Sequence, residues 1–402
     1  MIQFKRSDEN PVLMPNPDND WEGEASFNGC PIVVRGKVVL LYRAESLPMT
    51  IGDASRRISS IGYAESNDGL HFANRRQLIR PEFDWERFGC EDPRVTKLDG
   101  KYYVFYTALS QYPFRAEGIK VGLAITTDFK TIEKKHPVTT FNSKAMVLFP
   151  EKIDGKIAAV LTVNTDQPPA KIAIAIFDDE SQIWSDKYWA EWYGALNNHI
   201  VSLERSVNDQ IEVGAPPIKT KYGWLLLYSH IHNYLSPPVT FGVESAILNL
   251  NNPYELISRT KKPLLTPKEE YEKYGRVPNI IFPSGATVKG KELRLYYGAA
   301  DTTCAVATIE LEKNSLRKAG RSALIAFFIP SKTPPSTPSG LLEVFNKNGG
   351  IADMKTALLT RSEPYLLKYR ATSPPPIENP TNVVSCRLSS VMILFRSSAR
   401  VS

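Results

Sequence analysis

Five times between Pro31 and Asp301 the same order recurs: a proline, a short polar run, a glycine-containing turn, and an apolar strand rich in β-branched and aromatic residues. The copies are PIVVRGKVVLLYRA from Pro31, PRVTKLDGKYYVFYTA from Pro93, PEKIDGKIAAVLTVN from Pro150, PIKTKYGWLLLYSH from Pro217 and PSGATVKGKELRLYYGAA from Pro283. Their turn glycines (Gly36, Gly100, Gly155, Gly223, Gly290) are separated by 64, 55, 68 and 67 residues. Each copy reads as a hairpin. After it comes a second strand pattern, such as IGYAESNDGLHF, VGLAITTDFKTI, IAIAIFDDESQIW or FGVESAILNLNNPYEL. With no long amphipathic helix between them, the strands predict an all-β chain. A four-stranded unit at a near-constant period is the pattern of propeller blades, so five copies predict a five-bladed β-propeller. An irregular β-sandwich, the competing architecture, has no reason to repeat one proline–turn–strand order five times.

The fifth copy stops near Leu311, too early to complete its own sheet. An open ring would leave a bare strand edge, so residues near the N-terminus are expected to supply the missing outer strand. Residues 1–313 are read as the propeller domain. Residues 314–402 form a Ser/Pro-rich tail, including PSKTPPSTPS and SPPPIENP, whose composition predicts disorder or a small irregular appendage. The overall charge of +6 is concentrated there, because the tail holds 12 Lys+Arg and 4 Asp+Glu and leaves a net −2 on the rest. A near-neutral body argues against a nucleic-acid partner. No run is long and apolar enough for a membrane helix, and MIQFKRSDENPVL lacks the apolar stretch of a signal peptide, which predicts a cytoplasmic protein. Cys30, Cys90, Cys304 and Cys386 show no paired spacing, and the five histidines form no zinc motif. They read as free thiols, and no metal is expected.

In a propeller the first strand of each blade lines the central channel, so the residues just ahead of each repeat proline converge on one mouth. Those segments hold Asn28, Glu91 and Asp92, Lys144, Glu212, and the stretch from Asn279 to Phe282. Carboxylates around one pocket suit glycosidic cleavage, one protonating the leaving oxygen and another activating the attacking group. Asp92 is the candidate acid: the neighbouring Glu91 raises its proton affinity and Arg94 opposes that. Glu91, Asp92 and Arg94 could equally make a structural ion-paired turn. Glu212 and Glu244 are the candidates for the second carboxylate. Each has a plainer alternative, as a surface residue for Glu212 and an outward-facing one for Glu244, although a glutamate inside the strand pattern FGVESAIL needs a partner or a wet cavity.

The motifs GCEDPRVTKLDGKYYVFYTA, LFPEKIDGK, GAPPIKTKYGWLLLYSH and VPNIIFPSGATVKGKELRLYYGAAD resemble the mannoside phosphorylase family, glycoside hydrolase family 130, over about Asn10 to Leu311. The resemblance implies a five-bladed propeller that cleaves β-mannosides with inversion, by phosphate or by water, with no cofactor beyond phosphate as a co-substrate. It implies that Asp92 of EDPR is the proton donor, reaching the glycosidic oxygen through a sugar hydroxyl. It places Asn28, Arg43 of LLYR, Arg57 and Asp301 of YYGAAD on the sugar, with Glu91, Arg94, Lys144, Tyr228 and His230 completing the substrate site. The chain departs from the family where phosphate is held. Lys144 replaces an arginine, Thr162 or its neighbour takes the place of a second arginine, Gln210 aligns with a lysine, and Ser229 separates His230 from Tyr228. Because phosphate needs charge-assisted donors, these losses favour hydrolysis, with Glu212 or Glu244 as base. A phosphorylase releasing mannose 1-phosphate is the alternative, and a sugar-binding propeller without catalysis is the third reading. A β-mannooligosaccharide is the expected partner, and assembly into homo-oligomers is left open.

Overall fold

The computed structural model describes residues 3–311 except 52, 53 and 237, and beyond them the backbone of three short strands, Ile329–Pro330, Ser385–Leu388 and Val391–Leu394. The expectation for the tail therefore lies outside the described residues, as does the Cys386 side chain. The described chain is mostly β with few helices, the longer of two α-helices being the nine-residue Asp186–Gly194. No helix among the described residues is long and apolar enough to cross a membrane.

Apart from a small hairpin of Met49–Ile51 with Ala54–Arg56, the strands between residues 3 and 311 fall into five antiparallel meanders in chain order. The first runs Ala25–Val34, Lys37–Glu45, Ser59–Ser66, Ala73–Ile79, and the second Gly89–Leu98, Lys101–Leu109, Ile119–Thr126, Lys134–Pro137. A single parallel bridge, Ser59 to Gly89, joins these two. The third has three strands, Ser143–Leu148, Ile157–Val163 and Lys171–Phe177. Its outer position is taken by residues 199–201, which bond to Ile172 and Ile174 after a helical detour that buries Trp189 and Trp192. In IAIAIFDDESQIW the strand ends at Phe177 and a 3-10 turn at Glu180–Trp184 follows. In the fourth, Gln210–Val213 and Ile218–Thr220 share the partner Gly223–His232, followed by Thr240–Leu248 and Leu256–Arg259. The fifth is Ile281–Lys289, Glu292–Ala299, Thr303–Glu310 and, from the other end of the chain, Lys5–Arg6. Lys5 faces Thr308 and Arg6 faces Ala307, which supplies the outer strand expected from the N-terminus. Arg6 further clamps the buried Glu272 with two bonds of 2.7 Å.

The repeat glycines explain the hairpins. At Arg35-Gly36, Asp99-Gly100 and Asp154-Gly155 both central residues have positive φ, the two-residue turn whose twist matches a hairpin. Gly223 is different. It opens its strand rather than making the turn, and a Cβ there would meet the Leu248 carbonyl at 2.3 Å.

Second strands read as continuous apolar runs because both of their faces are covered. In Lys101–Leu109, Tyr103 and Phe105 pack toward the third sheet while Tyr102, Val104 and Tyr106 pack toward the first. Five hydrophobic clusters repeat this logic. They lie between sheets one and two, two and three, three and four, four and five, and five and one. Ala25–Val34 packs on both Gly89–Leu98 and Ile281–Lys289, and Ser143–Leu148 on both Gly89–Leu98 and Gln210–Val213.

Candidate active site

Each first strand is broken by a bulge near its start. The register slips between Phe27 and Cys30, Glu91 and Arg94, Lys144 and Val147, and Pro283 and Gly285. In the fourth sheet Gly214 and Ala215 both donate to the Leu227 carbonyl. At three of these breaks a non-glycine residue adopts left-handed backbone: Asn28 (φ 52°), Asp92 (φ 53°) and Ala145 (φ 49°). Such backbone is costly for a residue with a Cβ and concentrates at functional positions. It turns the side chain out of the sheet plane and leaves it at the strand end.

Asn28 and Asp92, 64 residues apart, are brought together in this way. Asn28 Nδ2 donates to Asp92 Oδ1 at 2.7 Å, and Arg43 Nη1 lies 3.7 Å from the same oxygen. Arg43 Nη2 is 2.9 Å from both Glu45 Oε1 and Glu91 Oε1, and Arg43 Nε donates to Ser59 Oγ, which donates to Glu91 Oε1. All of these groups are buried. Burial raises the proton affinity of Asp92 above the ordinary aspartate value, and Glu91 adds to the rise; Arg43, the Asn28 bond and Arg94 pull the other way. Both Asn28 and Arg43 contact Asp92 through Oδ1.

Asn28 is held in turn by the absence of a side chain opposite. A Cβ on Gly298 would fall 1.9 Å from Asn28 Oδ1. Gly298→Ala is therefore expected to displace Asn28 and lower kcat/KM by roughly 10²-fold, the scale of an ångström-sized misplacement, with the fold retained. Steady-state kinetics alongside circular dichroism check this, and activity within twofold of the parent would show that Asn28 does not position Asp92.

Arg94 plays a different part from the substrate contact expected. It is fully buried, and its guanidinium donates to the carbonyls of Asp92, Pro93, Gly214 and Pro283. It ties the second, fourth and fifth first strands together beneath the site, within electrostatic reach of both Asp92 and Glu212.

A second group of residues gathers where the third and fourth sheets meet. Lys144 Nζ pairs with Asp166 Oδ1 at 2.9 Å. Thr162 lies opposite Lys144 and accepts from the Val213 amide, and Gln210 Nε2 donates to the Thr165 carbonyl. Glu244 accepts from Tyr228 Oη at 2.9 Å and pairs with Arg205 at 2.7 Å. His230 bridges Glu244 (3.5 Å) and Asp209 (3.0 Å). The partner that a strand-interior Glu244 required is thus present. Glu212 faces Ser229 in register, whereas Tyr228 faces Glu244. Because side chains alternate along a strand, the two candidate bases lie on opposite faces of the fourth sheet. Glu212 is on the side of Leu227 and Val243, toward the fifth sheet; Glu244 is on the side of Ala246, toward the third.

Asp301 occupies a tight turn with Ala300, both at positive φ (49° and 47°), and is buried. Arg57 is half-exposed and pairs with Glu24 at 3.1 Å. With Arg43 and Glu91 it lines a cavity of about 270 Å³ beside Asp92, whose wall also includes Glu45, Arg56, Ser59, Phe88, Tyr112, Phe114 and Arg276. The aromatic and extra arginine residues of this wall, like Asp166, Arg205 and Asp209, lie outside the repeat. The one visible signal was the exposed-loop run Tyr112-Pro113-Phe114, three aromatic or proline residues with no strand to fill. Cys30 and Cys304 are buried thiols pushed up to about 11 and about 12 by burial, and Cys90 is raised likewise, so none is a poised nucleophile.

The family model for β-1,4-mannooligosaccharide phosphorylase matches residues 11–314. A 1,2-β-oligomannan phosphorylase of Thermoanaerobacter sp. (strain X514) is 34% identical over 313 residues, spanning 78% of this chain and 99% of the relative. A β-1,2-mannobiose phosphorylase of the same organism is 33% identical with the same coverage. Among solved structures, the β-1,2-mannobiose phosphorylase of Listeria innocua in complex with β-1,2-mannobiose superposes with a TM-score of 0.64 at 25% identity, covering 77% of this chain and 97% of that one. With the repeat, the Asn28–Asp92–Arg43 cluster and these relatives together, the chain belongs to glycoside hydrolase family 130, the family of mannoside phosphorylases.

Proposed function

We propose that residues 1–313 form a five-bladed β-propeller enzyme that cleaves β-1,2-linked mannosides by phosphorolysis with inversion, releasing mannose 1-phosphate. The observation that carries catalysis is Asp92: a buried carboxyl with raised proton affinity, gripped on one oxygen by Asn28 and Arg43, beside a cavity large enough for a sugar. A carboxyl of that kind is a general acid. Five meanders with a hydrophobic cluster at every junction, the last closing on the first, support the propeller. The phosphorylase chemistry and the linkage are inferred from relatives 33–34% identical across nearly their whole length.

In this reading Asp92 protonates the departing oxygen while phosphate attacks the anomeric carbon from the opposite side. Asn28, Arg43 and Asp301 orient the mannosyl group. Lys144, His230 and Arg205 are the donors available to phosphate.

One observation favours the second reading, hydrolysis. Each of these donors already faces a carboxylate: Lys144 faces Asp166, His230 lies between Asp209 and Glu244, and Arg205 faces Glu244. Those carboxylates oppose an incoming phosphate and suit a water molecule, with Glu212 or Glu244 as base. Incubation of β-1,2-mannobiose with and without phosphate separates the two. Mannose 1-phosphate formed only with phosphate present is the expected result. Free mannose released at the same rate without phosphate would replace phosphorolysis by hydrolysis, and no cleavage of any mannoside would leave a binding protein.

A further inference from the structure

The cavity beside Asp92 is lined by four arginines, Arg43, Arg56, Arg57 and Arg276, against two glutamates, Glu45 and Glu91. Three of the arginines have carboxylate partners. Arg43 pairs with Glu45 and Glu91, Arg57 with Glu24, and Arg276 with Glu45. Arg56 is held differently. Its guanidinium lies over the Tyr112 ring at 4.3 Å and over Phe88 at 5.5 Å. Its Nε is buried and meets no acceptor among the described residues. A cation over an aromatic ring is held by the ring's negative face, and a guanidinium carries its N–H donors in one plane. That planar fork matches a carboxylate or a phosphate. Tyr112 and Phe114 stand edge to face 5.2 Å apart beside it, and Tyr112 is half-exposed, so an apolar sugar face has a surface to rest on.

We propose that this cavity seats the sugar that departs from the mannosyl group, and that Arg56 makes it select a sugar bearing a negative charge, as a carboxylate or a phosphate. The proposal rests on the reading of Asp92 as the acid only in naming which sugar sits here; the anion preference itself follows from Arg56, held over two aromatic rings with an Nε that meets no acceptor among the described residues. The position is consistent with that role, because the cavity opens on Arg43, Glu91 and Ser59, the groups that hold Asp92 from its outer side.

Binding of glucose, glucuronate and glucose 6-phosphate to the full chain, by calorimetry or ligand-observed NMR, tests the proposal without requiring turnover. The two charged sugars are expected to bind at least roughly tenfold more tightly than glucose, the lower end of what a charge-assisted hydrogen bond contributes. Arg56→Gln, with its fold checked by circular dichroism, is expected to remove that advantage and leave glucose binding unchanged. A preference for the phosphate alone would assign the site to sugar phosphates, and for both, to anionic sugars generally; either supports the proposal. Equal affinities in the parent, no detectable binding of the charged sugars, or an advantage that survives Arg56→Gln would overturn it. Failure of the parent to cleave mannosides would sink the proposed reaction and leave this binding result standing.

Discussion

Replacing Asp92 by asparagine is expected to lower kcat by at least about 10³-fold while leaving the protein as stable as before or more so. The loss follows from removing the proposed proton donor, a contribution of roughly 10²–10⁴ for general acids. The fold is spared because asparagine keeps an oxygen for the Asn28 bond, and because Arg43 retains Glu45 and Glu91 as partners. The sign of the stability change follows from linkage. Asp92 has its proton affinity raised by burial in the folded state, so its contribution is most favourable at low pH and is lost as pH rises through the folded-state value. At neutral pH the parent carries a desolvated charge or holds a proton it would release when unfolded, and asparagine removes either penalty. Thermal denaturation at pH 4 and pH 7 should show the variant gaining on the parent as pH rises. The same shift sets the pH profile: in the parent, kcat/KM should fall on the alkaline side as Asp92 loses its proton, at a pH above the ordinary aspartate range. An Asp92→Asn variant that keeps a tenth of the parent's kcat would remove Asp92 from the role of acid.

Why Asp92 was legible in the chain, and much of its surroundings were not, has a physical basis. The repeat locates strand starts, and strand starts are where bulges turn side chains toward the site; Asn28, Glu91, Asp92, Lys144 and Glu212 all share that address. The fifth sheet's borrowed strand was legible for a similar reason, since an unpaired edge at Thr303–Glu310 had to be covered by something. Periodicity also marks which residues alternate, but not which of two packed faces a buried polar group takes. Glu212 and Glu244 therefore read as equivalents until the register put them on opposite sides of one sheet. The third sheet's outer position was not legible, because after IAIAIF Asp179 caps a 3-10 turn and residues 199–201 return only after a helical detour. Arg205 and Asp209 come from an irregular connection, and Arg56 from a short hairpin, Met49–Ile51 with Ala54–Arg56, with no counterpart in the other repeats, so no spacing argument reaches them. For the reaction, the lost cations suggested water as the attacking group, whereas the overall likeness to phosphorylases favours phosphate; three local substitutions carry less weight than similarity spread over some three hundred residues.

The residue most easily mistaken is Arg94, which stands next to the catalytic motif and reads as a substrate ligand. Arg94→Met is expected to destabilise the fold by about 3–5 kcal/mol, the range for stripping one partner from a buried charged contact. Its guanidinium is the shared donor for carbonyls at Asp92, Pro93, Gly214 and Pro283, in three separate sheets. Those acceptors are backbone, so no compensating substitution can turn the site apolar, and methionine fills the volume without satisfying them. The loss also takes away the cation between Asp92 and Glu212, leaving two buried carboxyl groups with less opposing charge. For a body of about three hundred residues this corresponds to a drop in melting temperature on the order of 10 °C. Arg94→Lys keeps the charge but not the fork, and should fall between the parent and the methionine variant in stability. Urea denaturation together with kinetics distinguishes the roles. A structural tie predicts a lower unfolding midpoint in both variants, with KM for the folded lysine variant close to the parent's. A raised KM with an unchanged midpoint would return Arg94 to the substrate and remove it from the junction of the sheets.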